Sequence, residues 1–160
     1  MVSVKIIAVG KLREPYFREA FDEYAKRLST FCKLTVDEVE QEKLSDTPSD
    51  KEIEKALSAE AENILRKIPA GSCVIPMCIE GRRYGSEEFA GIIGKELSAG
   101  TGNLVFIIGG SFGLADKVKS AGKLKLSMSE MTFPHRLARI MLAEQLYRAF
   151  SILNNRKYHK

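Results

Sequence analysis

The chain has 160 residues, a net charge of +4, 44% hydrophobic and 29% charged residues, three cysteines and two histidines. That describes one domain spanning residues 1–160, able to bury about two-thirds of its unfolded surface without disulfides or a metal. No apolar run reaches the roughly 18 residues of a membrane span, and the start (Met1-Val2-Ser3-Val4-Lys5-Ile6-Ile7-Ala8-Val9-Gly10) is too short and strand-like for a signal peptide. The expectation is a cytoplasmic protein with no membrane partner.

In chain order, Val2 to Val9 is a β-branched run closed by Gly10, and Pro15 to Leu28 has helical spacing through Phe17, Phe21, Tyr24 and Leu28. Leu34 to Val39 alternates like a strand at a sheet edge. Asp46-Thr47-Pro48-Ser49-Asp50 is a loop that caps a charged helix running to about Ile68, with Pro69-Ala70-Gly71 as its stop. Ser72 to Ile79 reads as a buried strand and Gly81-Arg82-Arg83-Tyr84-Gly85 as a turn. A capped helix follows from Ser86, then an apolar strand from Leu104 to Ile108, and Lys123 to Met128 alternates once more. Pro134 to Leu153 is a helix apolar around most of its circumference, which calls for burial on several sides, in the core or against a partner subunit. Alternating strands and helices with doubly apolar central strands predict an α/β layered fold with parallel pairs.

Cys32, Cys73 and Cys78 match no paired zinc or redox spacing, so they read as small core residues in a reducing compartment, and no metal site is expected. Charge is unevenly spread. Asp37 to Glu62 holds ten acidic residues against three lysines, whereas Lys117 to Lys160 holds ten basic residues against Glu130 and Glu144. A basic final third suits a polyanionic partner, since phosphate neutralisation supplies most sequence-independent nucleic-acid affinity; a solvated basic surface is the plainer alternative.

Three constellations could carry chemistry. Gly109-Gly110-Ser111-Phe112-Gly113 follows a buried strand, where open α/β sheets place ligands, yet it fits neither dinucleotide nor P-loop spacing and serves equally as a tight strand-to-helix turn. Met128-Ser129-Glu130-Met131-Thr132-Phe133-Pro134-His135 is a strand end entering a helix, with helix-start chemistry as the alternative. The tail Asn154-Asn155-Arg156-Lys157-Tyr158-His159-Lys160 combines an aromatic ring, an imidazole and cations, and could stack a base, move a proton and hold phosphate, or simply fray.

The order F-I-I-G-G-S-F-G-L from Phe106, L-S-M-S-E-M-T-F-P-H from Leu126, R-I-M-L-A-E-Q-L-Y-R-A-F from Arg139 and a closing Y-H-K resembles the RlmH family of small SPOUT-class methyltransferases. The start K-I-I-A-V-G-K-L extends the resemblance over essentially the whole chain. It implies a SPOUT-type parallel sheet, layered α/β/α, with a C-terminal trefoil knot over roughly residues 72–155, an exception to the rule against threaded loops. It also implies S-adenosylmethionine as methyl donor, N3 of a pseudouridine in bacterial 23S rRNA on the ribosome as acceptor, and a homodimer in which one donor pocket faces the other subunit's tail. Carried onto this sequence, the donor site comprises Met77, Gly109, Met128, Ser129, Glu130, Met131, Thr132 and Phe133; Met77, Cys78 and Glu130 depart from the residues common in relatives.

Such chemistry needs no pyrophosphate loop and no magnesium, because the sulfonium already carries the activation and the protein has to align the reactants and exclude water. N3 of pseudouridine is an imide N–H that must lose its proton, which asks for a base or for a cation that stabilises the anion. His159 ranks first as proton acceptor, with Tyr158, Arg148 and His135 as the other catalytic candidates. Arg136, Arg139, Arg156, Lys157 and Lys160 are the expected RNA contacts, Arg139 or Arg148 holding a phosphate or the developing anion. Two other classes compete: a non-catalytic RNA-binding or ribosome-assembly module, which would bind no S-adenosylmethionine, and a flavodoxin-like enzyme, disfavoured by the missing phosphate fingerprints.

Overall fold

A computed structural model describes residues 1–160. Strands β1 (Val2–Val9), β2 (Cys32–Val39), β3 (Cys73–Arg83), β4 (Asn103–Ile108) and β5 (Leu126–Ser127) alternate with helices α1 (Pro15–Leu28), α2 (Asp50–Arg66), α3 (Ser86–Ser98), α4 (Asp116–Ser120) and α5 (His135–Leu153). All strand pairs are parallel, in the order β2-β1-β4-β3-β5. The alternating strand Leu34–Val39 does lie at an edge, and the apolar runs of β1 and β4 fill the centre. Ile6 and Ile7, Phe106 and Ile107 are fully buried although neighbours along a strand point to opposite faces, so both faces must be covered.

Two cores result. On one face α1, α3 and α5 close over Ile6, Leu104, Phe106 and Ile75; on the other α2 and α4 close over Ile7, Val105, Ile107 and Val74. The layers are therefore α/β/α. Helix α5 lies against both α1 and α3, which accounts for most of its wide apolar surface within one chain; Leu137 and Leu153 remain exposed. Local chemistry sets the helix starts: Pro15 occupies the first turn of α1, and Ser49 with Glu52 forms a capping box on α2. No helix is long and apolar enough to cross a membrane.

Two expectations change. The stretch Gly81-Arg82-Arg83, read as a turn, continues β3: Arg82 and Arg83 pair with Leu126 and Ser127 after a bulge that loops out the residues between Met77 and Arg82. Glycine is required at 81, because a Cβ there would stand 2.8 Å from the Lys125 backbone. The strand expected over Lys123–Met128 shrinks to Leu126–Ser127; Lys123 instead donates its N–H to the Val74 carbonyl at 2.8 Å.

Candidate active site

Because the sheet is all parallel, the carboxyl ends of its strands open on one edge. The chain leaves β3 toward α3 on one face and leaves β4 toward α4 on the other. Two neighbouring strands whose connections diverge in this way leave a crevice between them, the usual ligand position in open α/β sheets. Gly109–Gly113 follows β4 at this edge, the bulge of β3 lies on the strand beside it, and Met128–Phe133 follows β5, on the other side of β3.

The glycine turn is closed on itself. Gly113 donates its N–H to the Gly110 carbonyl at 3.1 Å and has φ +79°, a conformation suited to glycine. A Cβ on Gly109 would stand 2.4 Å from the Gly113 carbonyl oxygen, so the glycine at 109 is demanded first by the turn's own backbone. Gln41, beyond the end of β2, donates to Ser111 Oγ at 3.4 Å and holds the turn from outside. Phe112 is exposed at its tip.

The bulge presents Cys78, half-buried, and Ile79 and Glu80, both exposed. Bulges recur beside active sites because they aim side chains out of the sheet. Lys119 grips the Glu80 carboxylate and holds it below the usual carboxylate range. Burial pushes the thiols up, Cys32 and Cys73 to about 11, consistent with inert core residues; Cys78 moves the same way.

After β5, buried Ser127 donates to the Ser129 carbonyl at 3.0 Å, and Ser129 Oγ accepts the Met131 N–H at 3.0 Å. Those hydroxyls fold Met128–Phe133 into a turn in which no backbone group bonds another backbone group. Apart from the Met131 N–H and the Ser129 carbonyl, the loop's amides and carbonyls are left to solvent or a ligand, beside the half-buried side chains of Met77 and Met128. Glu130 pairs with Arg83 at 3.0 Å, tying the loop to the extension of β3; Met131 and Thr132 are exposed.

The start of α5 departs from expectation. Arg139, expected at the RNA, is 2% exposed. Its guanidinium donates to Glu38 Oε1 at 3.1 Å and to the Gly10 carbonyl at 3.0 Å, and burial lowers its pKa from the usual value. A side chain without surface has nothing to offer a phosphate, so Arg139 joins α5 to the ends of β1 and β2. Arg136 pairs with Glu14 at 2.9 Å. His135 packs its ring on Gly10, where a Cβ would be 3.0 Å away; its Nδ1 is buried without a partner, and burial, then Arg136 and Arg139, lower its pKa.

The tail is folded back on its own α5. Tyr158 Oη donates to Glu144 Oε1 at 3.1 Å, its ring packs edge-on against Tyr147 and under the Arg148 guanidinium, and Arg148 also holds Glu144. Burial and the Glu144 charge push the phenol up to about 12, so Tyr158 holds its proton and shares it as a hydrogen bond with Glu144. His159 Nδ1 lies 3.2 Å from Arg148, and its Nε2 lies 3.6 Å from Glu87. A guanidinium only donates, so Nδ1 accepts and the basic nitrogen is occupied. Arg156 stacks over Phe31, while Lys157 and Lys160 are exposed. The structure thus gathers the tail with Arg148 and ties the Met128–Phe133 loop to the β3 extension, and no bond joins these two groups within one chain.

Sequence reasoning missed Glu38, Glu14, Glu144 and Glu87, the carboxylates beside Arg139, Arg136, Arg148 and His159. Only Glu144 had a signal, its i,i+4 spacing to Arg148. No group of three or more His, Cys, Asp or Glu side chains is gathered as a metal site would require.

Comparison with known proteins gives a coherent result. A family model described as "Predicted SPOUT methyltransferase" matches residues 2–159. A protein of Clostridium beijerinckii named ribosomal RNA large subunit methyltransferase H is 45% identical over 159 residues, covering 99% of this chain and 100% of the relative. Its namesake in Clostridium botulinum strain Langeland is 46% identical with the same coverage. Among solved structures, a Bordetella pertussis protein described as a probable methyltransferase aligns with TM-score 0.59 at 13% identity, over 93% of this chain and 95% of that one. A Legionella pneumophila protein solved in complex with SAM aligns with TM-score 0.52 at 12% identity, over 92% and 66%. The structural likenesses establish a shared fold. The sequence matches establish more: the chain belongs to the SPOUT methyltransferase family, in the group of ribosomal RNA large subunit methyltransferase H.

Proposed function

We propose that this protein transfers the methyl group of S-adenosylmethionine to N3 of a pseudouridine in bacterial 23S rRNA, on the assembled ribosome in the cytoplasm. The observation that carries the reading is the divergence of the chain after β3 and β4, with the Met128–Phe133 loop beside it, in which no backbone group bonds another backbone group. The donor carries an adenine, a ribose, a sulfonium and a zwitterionic amino-acid end, so a crevice that offers backbone amides and carbonyls beside half-buried methionines fits it. Met77, Gly109 and Met128 to Phe133 would hold it, with the knotted part of the chain at roughly residues 72–155.

S-adenosylmethionine supplies an activated methyl on a sulfonium. The loops fix that group and exclude water, and such alignment contributes orders of magnitude in rate. The acceptor imide must lose a proton, and His159 takes it once Nδ1 is released from Arg148, whose freed cation then faces the developing anion. Within one chain the tail bonds only its own α3 and α5 and residues beside them, so a homodimer that brings one subunit's tail to the other's crevice completes the site. Arg136, Arg156, Lys157 and Lys160 contact the RNA; no metal takes part.

The test is transfer of labelled methyl from S-adenosylmethionine to assembled ribosomes and to naked 23S rRNA, alongside calorimetry of donor binding. The reading predicts donor binding and transfer to ribosomes. A protein that binds ribosomes but neither binds nor turns over the donor would instead be a non-catalytic assembly module.

A further inference from the structure

Beside the extension of β3 lies an open groove of about 540 Å3, bounded by Arg82, Tyr84, Gly91, Ile92, Lys95 and Leu124. None of these residues belongs to the donor crevice or to the tail. The volume lies within the range of about 300–1,000 Å3 that small-ligand sites occupy, but the chemistry is not that of a small apolar ligand. Arg82 and Lys95 are exposed and neither forms an ion pair, while Arg82 stacks over the Tyr84 ring, 5.0 Å from its centroid. Of the two acids of the groove, one is neutralised by a cation and the other keeps its charge. Glu96 is bound by Lys123 at 2.5 Å and by the Thr101 hydroxyl at 3.2 Å, which holds its pKa low, and Glu88 accepts the Gly85 N–H at 2.9 Å. The groove therefore presents two unneutralised cations against the single free carboxylate of Glu88, an aromatic ring, and the apolar side chains of Ile92 and Leu124, with open space over Gly91, where a Cβ would meet nothing within 4 Å.

A positive groove beside a stacking ring is how proteins hold single-stranded nucleic acid: cations track the backbone and the ring takes a base. The groove lies on the same strand extension that anchors the Met128–Phe133 loop. Arg82 and Arg83 follow each other on the β3 extension, and Arg83 pairs with Glu130 of the donor loop. We infer that this groove binds a single-stranded stretch of ribosomal RNA flanking the methylated nucleotide, with Tyr84 stacking a base and Arg82 and Lys95 holding phosphates. The inference rests on the proposed function and adds a second RNA contact, outside the basic tail.

The experiment compares the wild-type protein with Arg82→Glu/Lys95→Glu, Tyr84→Ala and Gly91→Glu. The last places a carboxylate in open space on α3 and serves if the double variant fails to fold. Binding of a short oligouridylate and of assembled ribosomes is measured across salt concentrations, with donor calorimetry and sedimentation on the same samples. The expected result is at least about tenfold weaker RNA binding, a salt slope flatter by about 0.7 for each phosphate that is no longer neutralised, and unchanged donor affinity. Tyr84→Ala should weaken binding with little change in slope. Unchanged RNA affinity in folded variants would overturn the inference, as would dissociation of a dimer by Gly91→Glu, which would make the groove a subunit contact. The RNA-binding arm needs no turnover, so a protein that transfers no methyl group would defeat the proposed function through a separate readout.

Discussion

Arg139 reaches from the first turns of α5 to Glu38 in the edge strand β2, 101 residues earlier in the chain, and its fully buried guanidinium meets that carboxylate at 3.1 Å. The two partners are not equally exposed. Glu38 keeps 35% of its side chain in solvent and can rehydrate alone; Arg139 cannot. Glu38→Ala should therefore cost about 3 kcal/mol or more, the usual penalty for stranding a buried charge. Arg139→Met removes that charge and loses mainly the bond to the Gly10 carbonyl, about 1–2 kcal/mol. Chemical denaturation of both variants decides it; equal losses would show that the pair is not an isolated buried charge.

Gly109 and Gly113 need glycine for different reasons, and the difference is measurable. At Gly113 the cost is conformational, φ +79° with open space around the missing side chain, so Gly113→Ala should destabilise by about 1 kcal/mol and still bind the donor. At Gly109 any Cβ meets the Gly113 carbonyl, so Gly109→Ala should open the turn and abolish S-adenosylmethionine binding while the sheet stays folded. Calorimetry showing wild-type affinity in a folded Gly109→Ala protein would remove the turn from the donor site.

His135 should make the fold sensitive to acid. Its folded pKa is lowered, from the usual value of about 6.5, by burial and by Arg136 and Arg139, with Glu14 opposing. The folded state then binds the proton less readily than the unfolded chain, so stability is fully present above pH of about 6.5 and falls as pH drops through the folded pKa. Melting temperature measured from pH 7 to 5 should fall less in His135→Gln than in the wild type. Parallel curves would mean that His135 titrates alike in both states. Glu60, whose pKa is raised by burial, is common to both proteins and cancels in the comparison.

Much of the fold was legible because it is written locally. The β-branched run of β1, the apolar run of β4, the alternation of β2 and the capping box of Ser49 each follow from nearest-neighbour chemistry. What escaped was decided by distant partners. Gly81-Arg82-Arg83 has the composition of a turn, yet it becomes strand because Arg82 finds the Lys125 carbonyl at 3.0 Å. Arg139 looked like a surface cation on a basic helix until Glu38 and Gly10 enclosed it. Of the candidate site, motifs name the glycine turn and the Met128–Phe133 loop, whose part in donor binding is a proposal, but no pattern in the chain discloses that Glu144 and Arg148 clasp Tyr158 and His159.

That clasp sets an expectation for the tail. Deleting Tyr158–Lys160 removes three terminal residues whose contacts lie on α5 and the start of α3, so the melting temperature should change little and donor binding not at all. Methylation of ribosomes should slow at least about a hundredfold, since alignment and proton removal each contribute factors of that size, and His159→Ala should reproduce much of the loss. Full activity in the truncated protein would return the proton transfer to the strand-end loops.

The central claim is that the crevice between β3 and β4 delivers a methyl group to one ribosomal nucleoside. The most direct measurement is mass spectrometry of nucleosides digested from 23S rRNA after ribosomes lacking the modification are incubated with the protein and isotopically labelled S-adenosylmethionine. The account predicts one labelled species, pseudouridine methylated at N3, absent when Gly109→Ala protein is used. Label on a different nucleoside, or on pseudouridine with the Gly109→Ala protein as efficiently as with the wild type, would contradict it.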